Sequence, residues 1–339
     1  MEKNVVSVVM PAFNAGKYIR SAVHSILNQT YKNLELIIID DASEDDTYSI
    51  AQSFLVDTRV ILLSNDQNEG IVFSRNKGIA LAKGEYIAIM DSDDVSLPTR
   101  IEHQVRHMKA NPDWGAIGSY YHVIDGEGKK VTTIKLPKDP YDISTFLLFN
   151  VSFCHSTLMM RTDVAKAYRY RSGFDIIEDY EIAYRISRDF PIGNLPEFAV
   201  LYRVHGLNIS LEKKERLLYL RKQVDEIVLK DLGICFSNED LELHTNFLNL
   251  NDSFFDSKSR VNDLENWIVR FYSYCTQKEY LNMNMIKRII TVRWSIICYR
   301  NRFYFRLIHN RLWREFRGDF MMYNIQHVQN MVKGTLEVV

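Results

Sequence analysis

Short apolar runs alternate with amphipathic stretches of helical length through the first hundred residues of this chain. The apolar runs lie at 5–10, 34–39, 60–63 and 85–90, and the amphipathic stretches lie at 18–27, 47–54, 73–82 and 101–109. A regular alternation of strands and helices is typical of a mostly parallel sheet with helices on both of its faces. The pattern therefore predicts an α/β fold, in which Gly84 closes the helix at 73–82.

The pattern changes after residue 110. Further strands are expected at 116–124, 130–134, 157–161 and 198–204, and a further helix at 178–187. The first two of these strands flank Asp125-Gly126-Glu127-Gly128, which indicates a β-hairpin. From Leu211 onward, apolar and charged residues alternate at helical spacing. We therefore predict two domains, an α/β domain at 1–210 and a helical extension at 211–339.

An acidic motif follows the apolar run at 85–90, where a strand leaves the sheet. It reads Asp91-Ser92-Asp93-Asp94. Ligands of open α/β sheets bind at the carboxyl ends of strands, and crowded carboxylates repel one another unless a cation lies among them. Oxygen ligands favour hard ions such as Mg²⁺ or Mn²⁺, which bridge carboxylates to substrate phosphates. The alternative is an Asp-rich turn in which Asp94 or Ser96 caps the next helix.

A second acidic pair, Asp40-Asp41, ends the run at 34–39 in the same way. Two acidic clusters at two strand ends indicate one shared cleft. Helix capping by Ser43 or Asp45 is the alternative for this segment. A cap does not account for Asp40 and Asp41, because they stand at the end of the strand itself.

Three further segments carry polar groups that suit a catalytic site. Asp179, beside Glu178 at the start of a predicted helix, gains dipole stabilisation and suits a general base, with simple capping as the alternative. Gly70 permits a tight turn, and Arg75 offers charge to a diphosphate or belongs to an ordinary cationic helix face. His205 is either a metal ligand or a surface residue.

Charge and motif content argue against several classes of protein. The chain has 42 basic and 43 acidic residues, so its overall charge gives no reason to expect nucleic acid as a partner. Four scattered cysteines lack metal-ligand spacing and are expected to be reduced cytosolic thiols. We find neither a signal peptide nor an apolar run of about 18 residues, and expect no transmembrane helix. The glycine-rich loops of dinucleotide and P-loop enzymes are missing, as is the Gly-x-Ser-x-Gly elbow of hydrolases.

Taken in order, these motifs resemble those of the family 2 glycosyltransferases, which are inverting enzymes with a GT-A fold. The matching segments are Val8–Asn14, Asp40–Ser43, Asn68–Gly70, Arg75–Gly78, Asp91–Asp94, Glu178–Tyr180, Tyr202–His205 and Asn208–Ser210. The resemblance covers residues 5–210 and leaves the tail from Leu211 uncovered. One departure is Ala42, which stands where the family more usually has Gly. The resemblance implies a mixed sheet flanked by helices, followed by a mostly helical C-terminal extension.

The resemblance also implies a role for each matching position. The uracil and ribose of a UDP-sugar would be held by Pro11, Ala12, Phe13, Asn14, Asp40 and Asp41. The nucleotide pocket would be completed by Gly70, Arg75, Asn76, Asp91 and Ser92. Asp93 would reach a Mn²⁺ or Mg²⁺ ion, with His205 as a further metal or diphosphate contact, and Asp179 would be the catalytic base. The implied activity is metal-dependent, inverting sugar transfer to a hydroxyl of a glycan or polyprenyl-linked acceptor in cell-surface polysaccharide or lipopolysaccharide synthesis.

Two other classes of protein share parts of this pattern. A signalling receiver domain also has an acidic pair at a strand end, but it is much shorter and its pair follows the first strand. A nucleotide-sugar-binding partner of a glycan-assembly complex, without catalytic turnover, would be expected to lack one of Asp93, Asp179 and His205.

The helical extension contains a basic and aromatic segment at 287–317. Its only acid, Glu315, stands against nine basic residues, which gives a local charge of about +8. The nine are Lys287, Arg288, Arg293, Arg300, Arg302, Arg306, Arg311, Arg314 and Arg317. With interleaved aromatics such as Trp294, this favours peripheral contact of a cytoplasmic protein with the anionic inner face of the cell membrane. A helical lid packed on the catalytic domain, with its arginines solvated, is the alternative.

Overall fold

The computed structural model describes residues 2–205 and 214–303. The chain divides into two compact units. One consists of Met1–Ile143 and Val151–Glu212, and the other of Ser144–Asn150 and Lys213–Val339. The segment Ser144–Asn150 thus groups with the C-terminal residues, whereas the sequence places it inside the first domain.

Within the described residues, nine strands of the first unit form one mixed sheet. They are β1 (Glu2–Ala12), β2 (Leu34–Asp40), β3 (Val60–Ser64), β4 (Gly84–Ile89), β5 (Val95–Ser96), β6 (Ala116–Ile124), β7 (Lys130–Ile134), β8 (Met159–Arg161) and β9 (Ile192–Arg203). Their order is β3-β2-β1-β4-β8-β6-β9-β5, with β7 paired to β6. The first four pair in parallel, whereas β8 is antiparallel to both of its neighbours. The α/β class is confirmed.

The helices up to residue 189 are α1 (Ile19–Leu27), α2 (Thr47–Gln52), α3 (Ile71–Leu81), α4 (Arg100–Ala110), α5 (Pro140–Phe146), α6 (Thr162–Tyr168) and α7 (Glu178–Asp189). Adjacent residues of the central strands, such as Val8 and Val9 of β1 and Ile87 and Ala88 of β4, are all buried. Both faces of these strands are therefore covered. This explains why they read as continuous apolar runs in the sequence rather than as alternating ones.

Gly84 does not close α3, so that prediction is wrong. The helix ends at Leu81, and Gly84 is the first residue of β4. A Cβ at Gly84 would lie 2.6 Å from the carbonyl oxygen of Val5 and 2.8 Å from the amide nitrogen of Ser7. Glycine is needed here because the backbones of β4 and β1 approach closely, not because a helix ends.

The second unit is helical over its described residues, as predicted. Its helices are α8 (Lys214–Asp231), α9 (Asn238–Leu248), α10 (Lys258–Cys275) and α11 (Met283–Arg300). A reciprocal capping box between Ser237 and Asp240 starts α9. Trp267 of α10 and Trp294 of α11 are both buried. Among the described helices, none is long and apolar enough to span a bilayer.

Candidate active site

The acidic segments follow the two strands that flank β1. Asp40 is the last residue of β2, and Asp91 lies two residues beyond β4. Since β2 and β4 both run parallel to β1, their carboxyl ends lie at the same edge of the sheet. This edge is where open α/β sheets bind their ligands.

The turn after β1 is fixed to the loop after β2 by hydrogen bonds. The Asn14 amide donates to the Ser43 hydroxyl at 3.0 Å, and the Glu44 amide donates to the Asn14 side chain at 2.9 Å. Both Asn14 and Ala42 have left-handed backbone conformations, with φ of 49° and 57°. These contacts leave the ring of Phe13, 47% exposed, at the edge of the sheet.

Asp41 is buried and holds the turn that begins α3. Its carboxylate accepts hydrogen bonds from the Asn65 side chain at 2.6 Å and from the backbone amides of Glu69 and Gly70 at 3.0 and 2.8 Å. Gly70 itself has a φ of 88°, which favours glycine. Asp40 accepts a bond from the Ser43 amide at 3.2 Å. Both side chains thus shape the loops at this edge.

Asp94 connects the acidic motif to β9. The side chain is fully buried, and its Oδ1 accepts a hydrogen bond from the backbone amide of Arg203 at 2.7 Å. The Arg203 Nε donates to the carbonyl oxygen of Asp93 at 2.8 Å. Burial and the nearby carboxylates of Asp93 and Asp91 raise the pKa of Asp94 well above its usual range. These contacts give Asp94 a structural role in fixing the motif.

Asp93 and His205 lie together at the mouth of the motif. The Asp93 Oδ2 is 3.0 Å from the His205 Nε2, and the His205 ring is 4.9 Å from the ring of Tyr18. Burial, followed by repulsion from Asp91, raises the pKa of Asp93, and His205 offsets part of this rise. A cation at this position would relieve the repulsion between the carboxylates.

The residues present fit a divalent ion that is shared with a nucleotide. Within the part of the chain that the structure describes, no group of three or more His, Cys, Asp or Glu side chains can hold a metal ion. Mg²⁺ and Mn²⁺ sites of nucleotide-dependent enzymes need only one or two protein side chains, because substrate phosphates complete the coordination. Asp93 and His205 provide that number.

Arg75 lies in the interior between Asp91 of the acidic motif and Glu178 at the start of α7. Its guanidinium is 2% exposed and donates to Asp91 Oδ1 at 2.7 Å and to Glu178 Oε1. Although burial alone lowers the pKa of Arg75, the two carboxylates raise it overall. The sequence suggested contact with a nucleotide, whereas the structure pairs Arg75 with protein carboxylates. Asn76 likewise uses its amide on the backbone of Tyr170, at 2.8 and 3.0 Å.

Asp179 and Glu178 begin α7 on the other side of Arg75. Burial raises the pKa of Asp179 to about 6, against the effects of the Tyr180 amide and of Arg75. Burial also raises the pKa of Glu178 to about 7, and Arg75 opposes this rise. Glu178 is buried and bound to Arg75, whereas Asp179 is half-buried. Of the two carboxylates, that of Asp179 is therefore the more accessible.

Sequence reasoning missed a neutral pair beside Arg75. The Nε2 of His155 is 2.7 Å from the hydroxyl of Tyr170, and both side chains are buried. Burial and the charge of Arg75 lower the pKa of His155 to about 3. The only signal in the sequence is a histidine within the segment 153–160, which does not reveal its partner.

Comparison with known proteins decides the family. The model of glycosyl transferase family 2 matches residues 7–169. The Escherichia coli UDP-Glc:alpha-D-GlcNAc-diphosphoundecaprenol beta-1,3-glucosyltransferase WfaP is 32% identical over 233 residues, which are 68% of this chain and 87% of WfaP. The chain belongs to glycosyltransferase family 2.

Other relatives agree with this assignment. The Escherichia coli O-antigen biosynthesis glycosyltransferase WbnJ is 35% identical to this family 2 glycosyltransferase over 64% of the chain and 85% of WbnJ. The structure of S. aureus TarS residues 1–349 with UDP-GlcNAc superimposes with a TM-score of 0.59 at 15% identity, over 98% of this chain and 93% of that one. At that identity the likeness shows the fold, which is GT-A as the resemblance implied.

Proposed function

We propose that this glycosyltransferase moves a sugar from a UDP-sugar to a hydroxyl of a lipid-linked glycan, with inversion and with the help of a divalent metal ion. The observation that carries the proposal is the bridge made by Arg75. One buried guanidinium joins Asp91, in the acidic motif, to Glu178, which precedes the candidate base. The groups for the donor and for the acceptor hydroxyl therefore belong to one connected site.

Relatives and structural neighbours support the substrate classes. WfaP is named for transfer from UDP-Glc to a GlcNAc-diphosphoundecaprenol, and WbnJ for O-antigen biosynthesis. Structures of TarS contain UDP and UDP-GlcNAc, and a mannosyltransferase from Pyrobaculum calidifontis binds GDP-Man with Mn²⁺. From these names we infer that this chain uses a UDP-sugar donor and a polyprenyl-linked acceptor. We also infer a role in surface polysaccharide synthesis at the inner face of the membrane.

The proposed donor pocket lies between the loops after β1, β2 and β4. We assign the uracil and ribose to the turn at 11–14 and to the loop shaped by Asp40 and Asp41, with the exposed ring of Phe13 beside the base. Asp91 and Ser92 would lie beside the ribose, and Gly70 would leave room for the nucleotide, because a Cβ there meets no atom within 4 Å.

Asp93 and His205 would hold the Mn²⁺ or Mg²⁺ ion. When bound, the ion supplies Lewis-acid stabilisation of the diphosphate leaving group. Asp93 is suited to this because its carboxylate is partly exposed and lies among like charges. Asp94 and Arg203 hold the backbone of the motif in place through the bonds described above.

Asp179 would accept the proton of the acceptor hydroxyl. As that oxygen forms its bond to the anomeric carbon, the bond between this carbon and the diphosphate breaks, and UDP departs with the electron pair. The sugar passes through an oxocarbenium-like transition state. Attack from the face opposite the leaving group inverts the configuration without a covalent intermediate. A pKa of about 6 leaves Asp179 ionised and still basic at neutral pH.

The rival is a nucleotide-sugar-binding protein without turnover, and two measurements separate it from the enzyme. First, melting temperatures with Mn²⁺ and UDP-Glc, UDP-Gal, UDP-GlcNAc or UDP-GalNAc identify the donor, because a ligand of the native state raises the melting temperature. Second, UDP release is measured with a panel of lipid-linked sugar diphosphates. We expect one donor to stabilise the protein and to release UDP faster with acceptor present. Stabilisation without any release would support the rival.

A further inference from the structure

Two tyrosines meet on neighbouring strands of the sheet, β6 and β9. Tyr121 lies on β6 and Tyr202 on β9, and their ring centroids are 5.9 Å apart at an interplanar angle of 77°. The strands are parallel neighbours, with Tyr121 opposite Val200 and Val123 opposite Tyr202. Both rings are half-buried. The two side chains therefore lie on one face of the sheet and form a corner there, because the planes of their rings are almost at right angles.

A bulge in β9 puts Tyr202 on the same face of the sheet as Tyr121. Tyr120 pairs with Phe198 and Tyr121 with Val200, so Ala199 is an extra residue in the ladder. Such bulges turn side chains to a chosen face and are frequent beside active sites. The neighbours of Tyr121 along β6 point the other way, where His122 stacks on Phe198 with ring centroids 4.2 Å apart.

The corner lies beside the acidic motif, because Tyr202 directly precedes Arg203, whose backbone amide donates to Asp94 Oδ1 at 2.7 Å. Burial raises the pKa of Tyr121, and the carboxylates of Asp179 and Asp94 raise it further. Burial, Cys154 and the three carboxylates of the acidic motif do the same for Tyr202. Among residues 2–205 and 214–303, no protein group hydrogen-bonds to either phenol hydroxyl.

We propose that Tyr121 and Tyr202 form the binding corner for the acceptor sugar, which rests on the proposed function. A pyranose ring has an apolar face of C–H groups and a rim of hydroxyls. A tyrosine matches both parts, because its ring is apolar and its hydroxyl is polar. A sugar seated on this corner would lie beside the acidic motif, because Tyr202 directly precedes Arg203, which bonds to Asp94. The ligand class is therefore a pyranose, bound through one C–H face.

Saturation-transfer NMR on the full chain tests this with methyl α-N-acetylglucosaminide as the probe, in the presence of UDP and Mg²⁺. We expect saturation of the protein to reach the ring C–H protons of the probe and the protons of UDP. Tyr121→Leu and Tyr202→Leu should weaken binding of the probe about tenfold, the effect of losing one aromatic contact, while UDP signals stay unchanged. Tyr121→Phe should bind the probe within about threefold of the parent, since the ring is kept.

Tyr120→Leu is the matched control. Tyr120 directly precedes Tyr121 on β6, but its ring lies on the other face of the sheet, with its centroid 5.8 Å from that of the Phe198 ring. It should bind the probe as the parent does. If the parent binds UDP but not the probe, or if the Leu variants bind the probe as tightly as the parent does, the corner is not an acceptor site and the proposed function stands. If the parent protein does not bind UDP, that result contradicts both the proposed function and this inference.

Discussion

At the scale of single residues, the two carboxylates at the start of α7 have different surroundings. Glu178 is bound to Arg75, whereas Asp179 is half-buried and accepts one bond from the Tyr180 amide. We therefore expect Asp179→Asn to leave donor binding intact and to lower kcat by about 10²–10⁴, the usual contribution of a general base. The measurements are calorimetry with UDP and initial rates of UDP release. The exposed Asp175→Asn is the control, and a parental kcat in Asp179→Asn would transfer the role to Glu178.

The raised pKa of Asp179 also predicts a pH dependence. A general base must be ionised to accept a proton, so activity should be present above its pKa and fall as pH drops through it. With a pKa of about 6, the acid limb of kcat/KM should lie near pH 6 and decline about tenfold per pH unit below it. The residual activity of Asp179→Asn should lack this limb. If the acid limb of kcat/KM is unchanged in Asp179→Asn, a group other than Asp179 gives rise to it.

Asp93 is the carboxylate of the motif that faces His205 rather than a backbone amide or an arginine. Asp93→Ala should therefore abolish metal-dependent UDP binding, because one of the two proposed metal ligands and a negative charge are lost. Calorimetry with UDP and Mn²⁺ measures this. Asp66→Ala removes an exposed carboxylate shortly after β3, at the same edge of the sheet, and should bind like the parent. Tight binding by Asp93→Ala would contradict the metal assignment.

At the scale of elements, the turn between β2 and α2 holds Ala42 in a strained backbone conformation that a substitution by glycine would relieve. Ala42 has a φ of 57°, a conformation that costs a residue with a Cβ about 1–2 kcal/mol. Ala42→Gly removes this cost but adds freedom to the unfolded chain, so we expect a net gain of up to about 1 kcal/mol in the free energy of unfolding. Urea denaturation measures it. The same change in a helix, Ala51→Gly, should lose about 1 kcal/mol or more. Stabilisation of both variants would refute the strain argument.

The elements that the sequence predicted well are those with strong local signals. The buried strands β1, β2 and β4 were read from apolar runs, and α7 begins at the residue predicted. The sequence placed the start of β9 at residue 198, but the strand begins at Ile192. Pro196 hides this extension, because proline in a strand usually marks an edge or a bulge, and the register skips residues 196 and 197.

The candidate site was predicted in its parts but not in its connections. The sequence pattern located Asp91 and Asp179, because acidic residues after strands and before helices are visible along the chain. It did not reveal that Arg75 is buried between Asp91 and Glu178, since Arg75 and Glu178 are 103 residues apart and meet only in the folded chain. The corner of Tyr121 and Tyr202 was missed for the same reason, because it depends on a bulge in the pairing of β6 and β9.

At the scale of the whole molecule, the basic segment at 287–317 has two parts. Its first part belongs to α11, where Trp294 is buried, Arg293 donates to the backbone of Leu248, and Arg300 pairs with Asp252 at 3.0 Å. These groups serve the packing of the helical unit, so Trp294 is not an aromatic anchor for a membrane. Residues 304–317, with the remaining four arginines, lie outside the described residues, and the membrane hypothesis now depends on them.

Neutralising those four arginines is therefore the sharper test, because removal of the whole segment would also remove the core helix α11. We expect the full chain to float with anionic vesicles at low salt and less at high salt, since screening acts over about 8 Å at physiological ionic strength. The variant with Gln at 306, 311, 314 and 317 should float less. A control with Gln at the exposed lysines 32, 83, 129 and 130 loses the same charge and should float like the parent. Equal flotation of all three, or of none, would contradict the membrane hypothesis for this segment.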